Sequence, residues 1–169
     1  MMINQTTLPF LVIGAALVLF CLIYIRAFIT RIAGVWYEQK DPGGPIQEIR
    51  LRQIGPWVWG EASVEGGMSL FRGWFNGKTV TLRRRDHGPA YFKTLGFPDA
   101  VIPTLDGSEM ARAQFDFDKA NNKLVGQHYP QKIEISRTRP PKVIDRHYIT
   151  PTPRSWVRNP KQLKQPPTA

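Results

Sequence analysis

The residues that could do chemistry are few and widely spaced. His87, His128 and His147 are the only imidazoles, and none has a partner two or four positions away, as metal-binding pairs usually do. The single cysteine, Cys21, can make neither an internal disulfide nor a cysteine-based metal site. No metal or cofactor is therefore expected. Asp116 and Asp118 flank Phe117, which puts both carboxylates on one face of a strand, where paired acids could move a proton or hold a cation. The run FDFDKANNK reads more plainly as a solvent face leading into an Asn-Asn turn. Ser63, Ser69 and Ser108 lack a Gly-x-Ser-x-Gly setting, and there is no glycine-rich phosphate loop. Arg83-Arg84-Arg85 could grip phosphate, but strand geometry turns Arg84 away from the other two. Nothing resembles a helix-turn-helix or an aromatic nucleic-acid platform, so nucleic acid is not an expected partner. A catalyst is the least favoured class, and the chain is expected not to be an enzyme.

The elements that would position these side chains fall into three stretches. Leu8 to Ile25 is eighteen residues without a charge, roughly 27 Å of helix and close to the thickness of a bilayer's hydrocarbon core. No basic residue precedes it, and Arg31 sits where a signal-peptide cleavage site needs a small side chain. Residues 1–33 are thus expected to form a retained, single transmembrane anchor. Arg26, Arg31 and Lys40 follow the span, which by the positive-inside rule places the remainder on the cytoplasmic side of an inner membrane.

Fifteen prolines and fourteen glycines among 169 residues exclude a mostly helical protein. Residues 34–139 show strand periodicity, with short apolar runs punctuated by Gly55-Pro56, Glu65-Gly66-Gly67, Asn76-Gly77 and Asn121-Asn122. Asn-Gly between β-rich runs is a strong hairpin signal, because both positions accept positive φ. Residues 88–107, with Pro89, Pro98 and Pro103, read as a long connection. The fold class is mainly β: one transmembrane helix, then a small antiparallel barrel or sandwich, then an extended tail. Trp59, Leu51, Leu70, Val80, Leu82, Phe115, Phe117, Leu124, Ile133 and Ile135 are the expected interior.

Gly34-Val35-Trp36-Tyr37 resembles the Gly-x-Trp opening of the first strand in lipocalin-like and avidin-like barrels, the calycin group, and Leu51-x-Gln53-x-Gly55 ahead of a hairpin is similar to their layout. The resemblance implies a closed barrel in which a late basic residue packs over the opening tryptophan. Arg137 is the matching candidate for Trp36. It also allows an apolar ligand, a lipid, quinone or pigment, among Trp57, Trp59, Phe71, Trp74 and Tyr91. Fold alone does not bring that function with it.

The charge lies at the far end. Up to Asp118 there are twelve basic and eleven acidic side chains; from Lys119 there are eleven basic and two acidic, within a total net charge of +10. Residues 140–169 contain seven prolines, which argues for an extended tail that does not fold alone. Its scattered apolar residues suit a strap across a partner. Tyr148, Trp156 and Val157 are the expected anchors, with Arg146, Arg154 and Arg158 facing acidic surfaces. The reading that follows is a non-catalytic accessory or assembly subunit of a membrane complex, contacting other subunits and anionic lipid headgroups. The alternative is a membrane-anchored, lipocalin-like carrier.

Overall fold

Leu8–Ile29 winds into a single helix, α1, of 22 residues. A computed structural model describes residues 8–41 and 43–163. Within α1, Leu11–Ile29 is long and apolar enough to cross a membrane, and almost none of it is covered by the rest of the chain. Arg26 lies in the last turn, where a cation meets the negative end of the helix dipole.

Nine strands follow: β1 (Gly34–Gln39), β2 (Ile46–Ile54), β3 (Trp57–Val64), β4 (Gly67–Phe75), β5 (Thr79–His87), β6 (Glu109–Asp118), β7 (Lys123–Ile135), β8 (Val143–Tyr148) and β9 (Thr152–Val157). The first seven are antiparallel neighbours in chain order, and β9 lies between β7 and β1. Eight strands therefore close into a barrel, while β8 pairs with the far half of β7. The turns expected at Gly55-Pro56, Glu65-Gly66, Asn76-Gly77 and Asn121-Asn122 all join consecutive strands. The 88–107 connection carries two short helices, α2 (Pro89–Thr94) and α3 (Ile102–Leu105).

Alternation decides what faces inward. Trp36, Ile49, Leu51, Val58, Phe71, Phe75, Val80, Leu82, Phe115, Leu124 and Trp156 make one continuous core. Tight curvature is made possible by Gly60, Gly73 and Gly126, where a Cβ would overlap the carbonyl oxygens of Arg50, Thr81 and Gln114 on neighbouring strands. A second cluster of Phe92, Val101, Ile102, Leu105 and Met110 packs α2 and α3 against Ile133, Ile135 and Val143, outside the barrel.

Two expectations need correction. Trp59 and Leu70 lie off the interior face: β3 turns Val58 and Ala62 inward and β4 turns Ser69 and Phe71 inward, so their neighbours point out. Ile133 and Ile135 also lie outside the barrel, in the second cluster, because β7 runs on past it to pair with β8. The boundary at residue 139 also falls inside the barrel. Residues 143–157 are not an extended tail but β8 and β9, and β9 is the strand that closes the barrel. The prolines do not prevent this. Pro140, Pro141 and Pro151 lie between strands, and β9 pairs with β1 only at Trp156 and Val157. One edge of β9 is thus free at Pro153, where a residue lacking an N–H is tolerated.

Candidate functional site

The barrel has two unlike ends. At the α1 end, Gln53 reaches inward and ties the helix to the wall: its Nε2 donates to the carbonyls of Ala27 (2.7 Å) and Gly55 (2.8 Å), and its Oε1 accepts from the Ile32 amide (2.9 Å). Ala27 and Ile32 are fully buried and seal this end. Trp36 closes it from within, donating its indole N–H to the Ile32 carbonyl at 2.7 Å. The guanidinium of Arg158 stacks 3.9 Å from the Trp36 ring, with Nη2 donating to the Ala33 carbonyl (2.8 Å) and Nη1 to that of Val35 (3.3 Å). Partial burial lowers the pKa of Arg158. A basic residue over the opening tryptophan is therefore present, but it is Arg158, one position past the closing strand. Arg137 is exposed at the tip of the β7–β8 hairpin and is not the closing residue. It was the plausible match only while the last strand was placed before residue 139.

At the other end the inward face changes character along each strand. On β5 it runs Val80, Leu82, Arg84, Asp86, from apolar to charged. Glu38 and Lys40 on and after β1, Gln47 on β2, Ser69 on β4, His128 on β7 and Arg154 on β9 join Arg84 around a cavity of about 170 Å³ floored by Phe71, Leu82, Ala113, Phe115 and Trp156. Asp86, fully buried, accepts from Ser69 Oγ (2.7 Å) and from Arg84 Nη2 (2.9 Å). Beyond Trp156, where β1 and β9 no longer pair, Arg154 bridges the gap: its Nη1 donates to the Lys40 carbonyl (3.2 Å) and its Nε stands 3.6 Å from Glu38. Arg112, which also borders the cavity, is held by Glu109 at 2.7 Å; the other three cations meet two carboxylates, Glu38 and Asp86, leaving one positive charge over.

The same cavity collects two N–H donors, from Arg84 and Trp156, and a neutral imidazole that offers one donor and one acceptor. Arg84 Nε, Trp156 Nε1 and both ring nitrogens of His128 are buried without a hydrogen-bond partner in the protein. Burial, with Arg84, Arg154 and Lys40 nearby, pushes the His128 pKa down to about 4, so its ring is neutral at pH 7. Burial and the charge of Arg84 also lower Lys40. Tyr91, on α2 beside the mouth, is raised by burial and by Asp86. Polar groups cost free energy when buried unpaired, so these atoms call for partners beyond the protein's own groups, water among them.

None of the six expected partner anchors is free. Trp156 and Val157 are buried in the barrel, Arg154 lines the cavity, and Arg158 covers Trp36. Arg146 donates to the Thr104 carbonyl on α3 (3.0 Å), and the Tyr148 hydroxyl bonds Glu109. The surface this segment straps is its own barrel. The expected apolar pocket is likewise dispersed: Phe71 is interior, Tyr91 stands at the mouth, and Trp57, Trp59 and Trp74 lie on the outer wall. Asp116 accepts from Thr79 Oγ1 (2.6 Å), whereas Asp118 caps the turn at Ala120 and Asn121, so the two acids serve different neighbours. His87 stands near Asp106 and His147 near Asp145, both away from His128.

No protein family, curated protein or solved structure matches this chain.

Sequence reasoning missed Glu38, Lys40, Asp86 and His128 as members of one site. A signal for part of it existed: Arg84 and Asp86 share the parity of Val80 and Leu82, so a strand that places those leucine and valine side chains inside must place the charges inside too.

Proposed function

We propose that the chain is a membrane-anchored, calycin-like binding barrel. It would hold a small anion, or the anionic end of an amphiphile, in the cavity remote from α1. The observation that carries the reading is the convergence of unaccepted donors from Arg84, His128 and Trp156 with the extra positive charge of Lys40 and Arg154. Arg158 over Trp36, at the end of an eight-stranded barrel opened by Gly-x-Trp, supports the calycin likeness. The cavity's 170 Å³ equals about six waters at ~30 Å³ each, room for a carboxylate or phosphate and a few carbons but below drug-sized sites. The ligand chemistry is an oxyanion, and the role is binding rather than transformation.

Thermal unfolding of the full chain in mild detergent, with inorganic phosphate or hexanoate added, tests this. At least one anion should raise the midpoint in a saturable way, by linkage. Lys40→Gln and Arg154→Gln should abolish that rise while keeping the fold. Phosphate alone acting would indicate a phosphorylated ligand, and hexanoate acting more strongly an acyl carboxylate. No rise with either, together with a neutral lipid in native mass spectra, would overturn the anion reading.

A second reading, an accessory subunit, draws on the distal hairpin. The outer edge of β8 pairs with no other strand among the described residues, and Ile144 beside it is 64 % exposed. An unpaired edge of this kind can receive a partner strand. Pull-down from native membranes through a C-terminal tag would show stoichiometric subunits if that reading holds. A chain recovered alone would reject it.

A further inference from the structure

The outer wall of β2 to β5 carries two rows of side chains that the barrel does not use. The first row is Ile54, Trp57 and Trp74, aligned across adjacent strands; Ile54 is 63 % and Trp57 59 % exposed, and the two indoles meet edge-on at 4.8 Å. The second row, one pleat repeat further on, is Arg52, Trp59, Arg72 and Arg83, again in direct register. Between the rows lies a shallow groove bordered by Trp57, Trp59, Trp74, Arg72 and Arg83. Arg72 sits directly opposite Arg83, an arrangement that costs stability within a sheet. Arg52 and Arg72 have no carboxylate within ion-pair reach among the described residues, and the closest to Arg83 is Glu109 at 3.9 Å.

The position of this wall relative to α1 follows from two contacts. Gly55, in the turn between Ile54 and Trp57, sits so close to the Tyr24 ring that a Cβ there would overlap it; Gly77, three residues past Trp74, is as close to Arg26. The aromatic row therefore stands level with the point where the uncharged run of α1 ends at Ile25 and its first arginine begins. The arginine row stands roughly 7 Å further from the helix, two residues along each strand.

We propose that this wall is seated on anionic phospholipid headgroups, with Ile54, Trp57 and Trp74 at the acyl boundary and Arg52, Arg72 and Arg83 at the phosphates. Indoles favour that boundary, and guanidinium forks match phosphate oxygens. The inference rests on α1 crossing the bilayer; it adds that the barrel is held down on one side rather than free on a stalk. Its distal mouth would then open away from the lipid.

The test uses the full chain reconstituted in vesicles of phosphatidylcholine, alone or mixed with phosphatidylglycerol, with shallow-brominated lipid as quencher. No tryptophan lies in α1, and Trp36 and Trp156 are buried in the core, so quenching reports the outer wall. Cys21, the only thiol and exposed on α1, reports insertion independently through protection from an impermeant maleimide until SDS is added. With Cys21 protected, the bromolipid should quench the wild type, more so with phosphatidylglycerol. Trp57→Phe/Trp74→Phe should lose most of that quenching, and Arg52→Gln/Arg72→Gln should lose its dependence on phosphatidylglycerol. Protected Cys21 without quenching overturns the seated wall and leaves the anchor standing. Labelled Cys21 overturns the anchor, and the wall proposal with it.

Discussion

Replacing Arg158 with alanine removes three things at once: the stack over Trp36, a charged hydrogen bond to the Ala33 carbonyl at 2.8 Å, and a longer one to Val35 at 3.3 Å. The short charged bond contributes about 1.5 kcal/mol and the long one about 0.5 kcal/mol. A partly desolvated cation–π contact adds about 1 kcal/mol. The aliphatic stem covering the ring adds about 0.5 kcal/mol. Arg158 is half-buried, so solvent screening trims this total to about 3 kcal/mol. For a chain of this size that corresponds to a fall of about 6–12 °C in Tm. Arg158→Lys keeps the charge but not the planar fork, and should lose about half as much. Near-ultraviolet circular dichroism of the full chain in mild detergent reads the transition through the packed tryptophans. Arg137→Ala is the internal control, because that side chain is exposed and makes no hydrogen bond among the described residues. If Arg158→Ala melts with the wild type, or if Arg137→Ala falls as far, the assignment of the closing arginine is wrong.

Acidification should act through His128. Its folded pKa of about 4 lies below the ordinary 6.5, so the unfolded chain takes up the proton first; stability is full above pH 6.5 and declines as pH falls toward 4. The whole shift would be worth about 3 kcal/mol, and partial solvation reduces this to about 1–2 kcal/mol. His128→Leu should flatten that part of the pH–stability curve, and an unchanged curve would reject the assignment. A bound anion should reverse the trend, because protonated His128 becomes another cation facing it; a fall between pH 6.5 and 4 in the affinity for phosphate, which keeps a negative charge over that range where hexanoate does not, would count against the site. Gly73→Ala should destabilise by about 1–3 kcal/mol, since its Cβ would press on the Thr81 carbonyl and flatten the wall. Chemical denaturation measures this, and a neutral result would mean that the curvature is set elsewhere.

Much of the architecture was legible because it is local. The uncharged run of α1 and the hairpin turns at Gly55-Pro56 and Asn76-Gly77 depend on residues a few positions apart. Their positions agree with the strand borders. Arg84 facing away from Arg83 and Arg85 likewise needs only the two-residue period of a strand. The closing strand was not legible, because Thr152–Val157 holds a proline and lies in a proline-rich, basic stretch whose composition argues for extended chain.

Sequence alone determined an apolar helix followed by antiparallel hairpins, and the approximate length of each, through hydrophobic period and turn chemistry. Tertiary structure decided which strand is last, and with it which arginine covers Trp36. It also decided that Glu38, Lys40, Arg84, His128 and Arg154 share one cavity although as many as 116 positions separate them. The physical reason is closure. A barrel brings its first and last strands together only after every intervening register is set, so residues at that seam have no neighbours in sequence to announce them.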